Sequence, residues 1–207
     1  MGGGFTIPDG VQVRSVGPAQ TVDTQLGAVQ LPGSSSGAFP TISDGSVVLG
    51  NNTALSGLEI NDAFGDAILG QNLNNVTLQD NRVNGALGAG IKLEDVGGNV
   101  LIERNQLNNS VFDTGIFIST GDAISQQLTI KNNNISGNAE QGILIRATQA
   151  AQAVADIQDN VVAGNNTSVS ATGIEVETNN VAPKRRANGR PAYLARRCAN
   201  FFTLRGL

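Results

Sequence analysis

Apolar and polar positions alternate in short runs along the middle of the chain, and one pattern recurs. It reads apolar, any, apolar, two polar residues, asparagine, any, apolar. Clear copies begin at Val76, Val100, Leu128 and Ala155, and a weaker copy begins at Val47. Alternate residues of a strand face opposite sides of a sheet. Each copy therefore predicts a strand with one buried face, followed by a turn at the asparagine.

A second pattern, glycine, apolar, any, apolar, lies between these copies. It begins at Gly57, Gly90, Gly115, Gly142 and Gly173. The asparagines of the four clear copies lie 24, 28 and 27 residues apart, a drift that loop insertions between fixed strands would give. A unit of this size cannot bury its apolar face alone, so successive units must stack. The repeat predicts an all-β solenoid of about six rungs.

Stacking at about 4.8 Å places equivalent residues of successive rungs in columns. Three aliphatic columns are expected inside the solenoid: Leu78, Ile102, Ile130 and Ile157; Val83, Leu107, Ile135 and Val162; and Ile91, Ile116, Ile143 and Ile174. Stacked asparagine amides can bond along the axis, and asparagine tolerates the left-handed backbone of a sharp turn. A structural asparagine ladder is therefore expected from Asn52, Asn81, Asn105, Asn133 and Asn160.

These repeats resemble the right-handed parallel β-helix superfamily, which includes pectate lyases and many bacterial surface proteins. The stretches Ile7–Val16 and Val47–Ile60 resemble its first rungs, and the resemblance covers roughly residues 5–180. It implies a right-handed parallel β-helix in a bacterial protein. It leaves function open, because the superfamily includes lyases, hydrolases, epimerases, adhesins and inert stalks.

The chain divides by composition near residue 180. Residues 5–16 are expected to form a first strand and residues 17–46 an irregular coil, with the regular rungs at 47–180. Residues 1–180 hold all 17 acidic residues and six basic ones, a net charge of −11, whereas residues 181–207 hold seven basic residues and no acid. The sequence thus predicts a β-helix domain, 1–180, and a basic, apolar tail, 181–207.

Catalytic and metal chemistry have few candidate residues. There is no histidine and one cysteine, Cys198, which removes the commonest general base and any paired-thiolate site. No cofactor or metal is expected. The loop acids Asp62, Asp66, Asp113 and Asp122 are interpreted as solvated side chains rather than calcium ligands, since they follow no calcium-loop pattern.

Charged side chains line the outward rows of the predicted sheets. Opposite charges fall on adjacent rungs in three pairs, Glu103 with Lys131, Asp80 with Arg104, and Arg146 with Glu177. We interpret them as cross-strand pairs that set register. A weak catalytic alternative uses Asp80, Glu103 and Arg104, because a glycosidic site needs two nearby carboxylates. Phe117 on an outward row is expected to contact a loop, with stacking on a sugar as the alternative.

The tail abandons the repeat. In a helix opened by Pro191 and ended by Gly206, Leu194, Cys198, Phe201 and Phe202 share one face. Three roles remain open: a cap over the last rung, a homo-oligomer contact, or nucleic-acid binding by Lys184, Arg185 and Arg186, the last being the least favoured. The abrupt change also suggests a truncated β-helix with a frameshifted or fused end.

The favoured function is a non-catalytic structural or interaction protein that self-associates as a dimer or higher oligomer through its C-terminal end. The alternative is a carbohydrate-active remnant, lyase-like or hydrolase-like, or a glycan-binding module. No membrane span is predicted, because no apolar run reaches about 18 residues. No basic-then-apolar leader follows Met1, although relatives in the superfamily are often secreted or surface-exposed.

Overall fold

A computed structural model describes residues 3–35, 37–121, 124–148, 151–165 and 173–179. Its regular structure in these ranges is entirely β. The strands are β1 (Phe5–Thr6), β2 (Gln12–Arg14), β3 (Thr21–Thr24), β4 (Gly27–Gln30), β5 (Thr41–Ser43), β6 (Val47–Val48), β7 (Thr53–Ser56), β8 (Glu59–Asn61), β9 (Ile68–Gln71), β10 (Asn74–Gln79), β11 (Arg82–Asn84), β12 (Ile91–Glu94), β13 (Gly97–Glu103), β14 (Gln106–Asn108), β15 (Ile116–Thr120), β16 (Ser125–Lys131), β17 (Asn134–Ser136), β18 (Ile143–Thr148), β19 (Gln152–Gln158), β20 (Val161–Ala163) and β21 (Ile174–Asn179).

Three parallel sheets run the length of the solenoid. The first sheet has the order β1-β6-β9-β12-β15-β18-β21, the second β2-β7-β10-β13-β16-β19, and the third β5-β8-β11-β14-β17-β20. Each rung contributes one strand to each sheet, and the chain turns three corners per rung. The fold is therefore the parallel β-solenoid that the repeat predicts.

The rungs are not equally regular. The four rungs from Ile68 to Ala163 carry second-sheet strands of six or seven residues, matching the four clear asparagine copies. The two rungs before Ile68 have shorter strands, and the first is interrupted between β2 and β5. The predicted six rungs are reached only if these two short rungs are counted with the four regular ones.

The three predicted aliphatic columns are confirmed by the strand register. Leu78 pairs with Ile102, Ile102 with Ile130, and Ile130 with Ile157. The other two columns pair rung by rung in the same way. Leu78, Ile102 and Ile130 have no exposed surface. Burial of these aliphatic columns is the main favourable term in a solenoid whose units contact only their neighbours.

The predicted single strand over residues 5–16 is wrong. It is broken into β1 and β2, which lie in different sheets, by a turn in which the amide of Val11 donates to the Pro8 carbonyl at 3.2 Å. Gly10 has a φ of 75° in this turn. Proline has no amide for a strand ladder, and glycine accepts the left-handed region at little cost, so Pro8 to Gly10 favour a corner over a continuous strand.

The predicted irregular segment, 17–46, contains an antiparallel hairpin of β3 and β4. This insertion packs beside the corner between the second and third sheets. Gln20 Nε2 donates to Ser56 Oγ at 2.8 Å, and Ser15 Oγ donates to the Gly57 carbonyl at 2.6 Å. Insertions in repeat proteins map to loops on one side of the stack.

Three glycines before the first-sheet strands, Gly90, Gly115 and Gly142, leave no room for a side chain. A Cβ on Gly115 would collide with Ile135 and would lie 2.8 Å from the Gly142 carbonyl oxygen. Gly57, which we assign to this column from the sequence, lies at another corner, with a φ of 81°. Ala67 precedes β9 in the position expected for glycine. The predicted tail, residues 181–207, lies outside the described residues.

Candidate functional site

The corner between the second and third sheets is built on a buried asparagine ladder. Asn81, Asn105 and Asn133 are at most 1% exposed, and Asn160 follows them on the next rung. Each corner has two residues, because β10 ends at Gln79 and β11 begins at Arg82, with the same spacing on the three following rungs. The strands on both sides thus fix the position of each asparagine.

Each ladder amide bonds in both directions along the axis. Asn105 Oδ1 accepts from the backbone amide of Asn81 at 3.0 Å and from its side-chain nitrogen at 3.1 Å. Asn105 Nδ2 donates to Asn133 Oδ1 at 3.0 Å and to the Leu78 carbonyl at 2.9 Å. The pattern continues from Asn133 to Asn160. A fully paired buried amide column stabilises the corner, whereas an unpaired member would be costly.

Asn52, the fifth predicted member, does not belong to this ladder. It lies at the corner between the first and second sheets, where its Oδ1 accepts from Asn75 Nδ2 at 2.8 Å. Leu58 occupies the ladder position of that rung, and its backbone amide donates to Asn81 Oδ1 at 3.1 Å. The weaker early repeat therefore misplaces Asn52 by one corner, because a leucine interrupts the asparagine column.

A second, shorter ladder lies at the corner between the third and first sheets. Asn138 Nδ2 donates to Asn165 Oδ1 at 2.6 Å, and Asn138 Oδ1 accepts from the Ser110 amide at 2.9 Å. The sequence repeat does not predict this ladder. Its only signal is a Gly-Asn pair following the third-sheet strand, at Gly137 and Gly164, and the previous rung has Ser110 instead.

The left-handed residue at the ladder corner precedes the asparagine. Asp80, Arg104, Asn132 and Asp159 have φ values of 56°, 56°, 57° and 52°. The expectation that the ladder asparagines themselves adopt this conformation is wrong for the four described members of the column. Arg104 is the least suited of these residues, since long side chains disfavour the left-handed region.

The three residues of the weak catalytic alternative do come together at this corner. Arg104 forms a two-bond pair with Asp80, Nε to Oδ1 at 2.8 Å and Nη2 to Oδ2 at 2.9 Å. Its Nη1 also lies 2.8 Å from Glu103 Oε2, and Lys131 Nζ lies 3.2 Å from Glu103 Oε1. With Arg146 and Glu177 at 2.6 Å, all three predicted cross-rung charge pairs form.

The neighbouring side chains in this network hold the Glu103 carboxylate ionised. Burial alone would raise the pKa of Glu103, but hydrogen bonds from Gln79 and Lys131, with the charges of Arg104 and Lys131, lower it below its ordinary value. The hydrogen bond to Asp80 raises the pKa of Arg104 and outweighs the opposite effect of burial. A general acid needs a raised carboxyl pKa and an arginine acting as a base needs a lowered one, so the two shifts oppose these two roles at neutral pH.

A small cleft separates the insertion from this corner. It has a volume of about 110 Å³ and is lined by Pro18, Phe39, Asp80, Asn81, Arg82, Arg104 and Gln106. The Arg82 guanidinium lies 3.9 Å from the centre of the Phe39 ring, and its nearest carboxylate oxygen, on Glu59, is 4.0 Å away. Ligand pockets usually enclose about 300–1,000 Å³, so this cleft is small for a sugar ring.

Phe117 lies on the outward face of the first sheet between Lys92 and Leu144. It is half-buried, with Arg146 5.4 Å and Lys92 5.9 Å from its ring centre. The two cations are themselves paired, Lys92 with Asp66 and Arg146 with Glu177. The face is thus a mixed apolar and ion-paired surface.

The predicted loop acids do not form a metal cluster in the described part of the chain. There, no group of three or more His, Cys, Asp or Glu side chains is placed to hold an ion. Asp66 Oδ1 accepts from the Ala89 amide at 2.8 Å. Asp122 and the tail residues Leu194, Cys198, Phe201 and Phe202 lie outside the described residues.

The coil geometry, three parallel sheets with stacked aliphatic and asparagine columns, defines a parallel β-solenoid. The sequence matches the family model of the right-handed β-helix region over residues 39–184, most of the chain. The protein therefore belongs to the right-handed β-helix family. No curated protein and no solved structure matches the chain significantly. In the described residues, no helix is long and apolar enough to cross a membrane.

Proposed function

We propose that this protein is a non-catalytic structural or interaction β-helix that self-associates through residues 181–207. The observation that carries the non-catalytic assignment is the environment of the Glu103 carboxylate. Its side chain is 10% exposed and contacts both Arg104 and Lys131, and its pKa is lowered. A carboxylate held in this way is suited to setting register between rungs and poorly suited to donating a proton.

The test of the non-catalytic assignment is a turnover screen. The full-length protein is incubated with pectin, alginate and other acidic glycans, with and without calcium, and unsaturated or reducing ends are measured. We expect no turnover above a blank. Product formation that Glu103→Gln abolishes would make the protein a carbohydrate-active enzyme and contradict the proposal.

The second half, self-association, rests on charge and composition. The β-helix part carries a net charge of −11, whereas residues 181–207 carry +7 with several large apolar side chains. Opposite charges favour contact between the two segments, and in self-association the tail of one copy would contact the β-helix of another. Light scattering of the full chain against Phe201→Ser/Phe202→Ser tests this, because loss of the apolar side chains should weaken association. A wild-type chain that stays monomeric at all concentrations would contradict it.

Glycan binding without cleavage is a second candidate, favoured by Arg82 and Gln106 beside the Phe39 ring in the corner cleft. A guanidinium and an amide can bond sugar hydroxyls or carboxylates. Arg82→Ala should then remove affinity for a glycan in calorimetry, with no products formed. The small volume of the cleft makes this the weaker of the two functions.

A further inference from the structure

An exposed apolar row follows the corner between the third and first sheets. Phe64 and Phe112 are each 72% exposed, Val111 is 44% exposed and Leu87 is 37% exposed. The chain has only seven phenylalanines and no tryptophan, so two largely exposed rings at one corner form a distinctive surface. A contiguous exposed apolar patch is a common mark of an interaction site.

Backbone hydrogen bonds fix these side chains in register. The Leu87 amide donates to the Ala63 carbonyl at 2.9 Å, which places Leu87 beside Phe64. The Val111 amide donates to the Ala86 carbonyl at 2.8 Å, which places Val111 beside Leu87. Phe112 follows Val111 in the chain. We name Phe64, Leu87, Val111 and Phe112 the corner row.

The corner row is bordered by acidic side chains. The loops that form this corner, residues 62–67, 85–90, 109–115 and 137–142, contain Asp62, Asp66, Asp113 and Glu140 and no lysine or arginine. Lys92, on the adjacent strand, pairs with Asp66 at 3.6 Å. The corner therefore presents an apolar strip within a surface of negative charge.

Residues 181–207 are complementary to this surface in charge and in apolar content. They hold seven basic residues, no acid, and the apolar side chains Leu194, Phe201 and Phe202. In the helix that the sequence predicts there, residues 194 to 202 would span about 12 Å. The corner row spans three rungs, and its two steps cover about 10 Å, so the two apolar strips are of similar length.

We propose that residues 181–207 of one copy bind the corner row of a second copy. The proposal rests on the proposed self-association and names its receiving surface. Apolar side chains of the tail would cover Phe64 and Phe112, while its arginines face the acids of the corner. The contact joins two different surfaces, so it is heterologous and extends into chains unless rotation closes a ring.

Two full-length variants separate the two halves of the contact. Phe64→Ser/Phe112→Ser removes the receiving surface and keeps the tail, whereas Phe201→Ser/Phe202→Ser removes the tail's rings and keeps the corner row. Leu26→Ser is the matched control, because Leu26 is 98% exposed on the hairpin of the insertion, away from the corner row. Circular dichroism checks that all variants are folded.

Light scattering should show a wild-type mass that rises with concentration above the 21.3 kDa of one chain. Each double variant should weaken association at least tenfold, and Leu26→Ser should behave as wild type. A mixture of the two double variants should form a species with the mass of two chains, because one intact tail meets one intact row.

The two proposals fail in different ways. If wild type associates and Phe64→Ser/Phe112→Ser associates equally well, the tail binds elsewhere, and the corner-row assignment is overturned while self-association stands. The same holds if the mixed variants stay monomeric, since an intact tail would then fail to bind an intact corner row. If wild type is monomeric throughout, both proposals are overturned.

Discussion

Two corners of the same rungs turn the chain from one sheet to the next in different ways. The corner between the second and third sheets has two residues on each of the four regular rungs and a buried amide column. The corner between the third and first sheets has six or seven residues on the rungs from Asn61 to Ile143, and it exposes apolar and acidic side chains. The tight corner is constrained by its hydrogen bonds, whereas the longer corner has room for side chains that serve contacts.

The difference follows from where the backbone polar groups find partners. At the tight corner the asparagine side chain accepts a hydrogen bond from the backbone amide of the asparagine on the preceding rung, which the turn would otherwise leave unpaired. The residue at this position is therefore nearly restricted to asparagine. At the longer corner, backbone amides bond to carbonyls of the neighbouring rung, as Leu87 does to Ala63. Asn138 and Asp66 also accept backbone amides of neighbouring rungs at this corner, but an apolar outward side chain such as Leu87 contributes no hydrogen bond, so its type can vary without loss of register.

The largest effect is expected at the tight corner. Asn105→Ala should lower the free energy of unfolding by about 3 kcal/mol, because it leaves the buried Asn81 amide and the Leu78 carbonyl without this partner. Urea unfolding followed by circular dichroism measures the change. Asn134→Ala, at an exposed outward position of β17, is the control and should be close to neutral. Equal effects from the two substitutions would mean that the ladder does not stabilise the stack.

The sequence predicts the tight corner well because the corner has the same length on all four regular rungs. Asn81, Asn105, Asn133 and Asn160 each follow the second-sheet strand at the same interval, so one pattern finds them all. The exposed corner row is not predictable in this way. Phe64, Leu87 and Val111 share a register but no common residue type, and the insertion of one residue in 109–115 shifts the spacing.

Errors of prediction also have local causes. Asn52 and Gly57 match the repeat but lie at other corners, since Leu58 and Ala67 stand where the asparagine and glycine would be. The ion-paired rows are predicted correctly, because period-two alternation fixes which side chains of adjacent rungs face outward together. Whether such a row is catalytic depends on pKa values that the environment sets, which pattern alone does not give.

A second, smaller effect tests how tightly the backbone packs where the longer corner joins the first sheet. Gly115→Ala should destabilise the protein by about 2 kcal/mol, because the new methyl group overlaps Ile135 and crowds the Gly142 carbonyl. Gly65→Ala, in an earlier loop of the same corner, has no neighbouring atom within 4 Å and should be neutral. Thermal unfolding of both variants measures the difference. A neutral Gly115→Ala would show that the corner relaxes freely and is loose along its whole length.

The smallest expected effect tests how much the ionic contacts of Glu103, as distinct from the asparagine ladder, stabilise the tight corner. Glu103→Gln should lower stability by about 1 kcal/mol at pH 7, since the contacts to Arg104 and Lys131 lose their ionic part. The pKa of Glu103 is lowered in the folded state, so its contribution is present above the unfolded-state pKa and is lost as the pH falls through the folded-state value. The gap between wild type and Glu103→Gln should therefore begin to close as the pH falls below the ordinary pKa of glutamate, and it should vanish once Glu103 is protonated in the folded state. Urea midpoints at a series of pH values measure the gap, with Glu140→Gln at the longer corner as the exposed control. A gap that stays constant down to low pH would assign the effect of Glu103 to packing, and the ladder alone would then hold this corner.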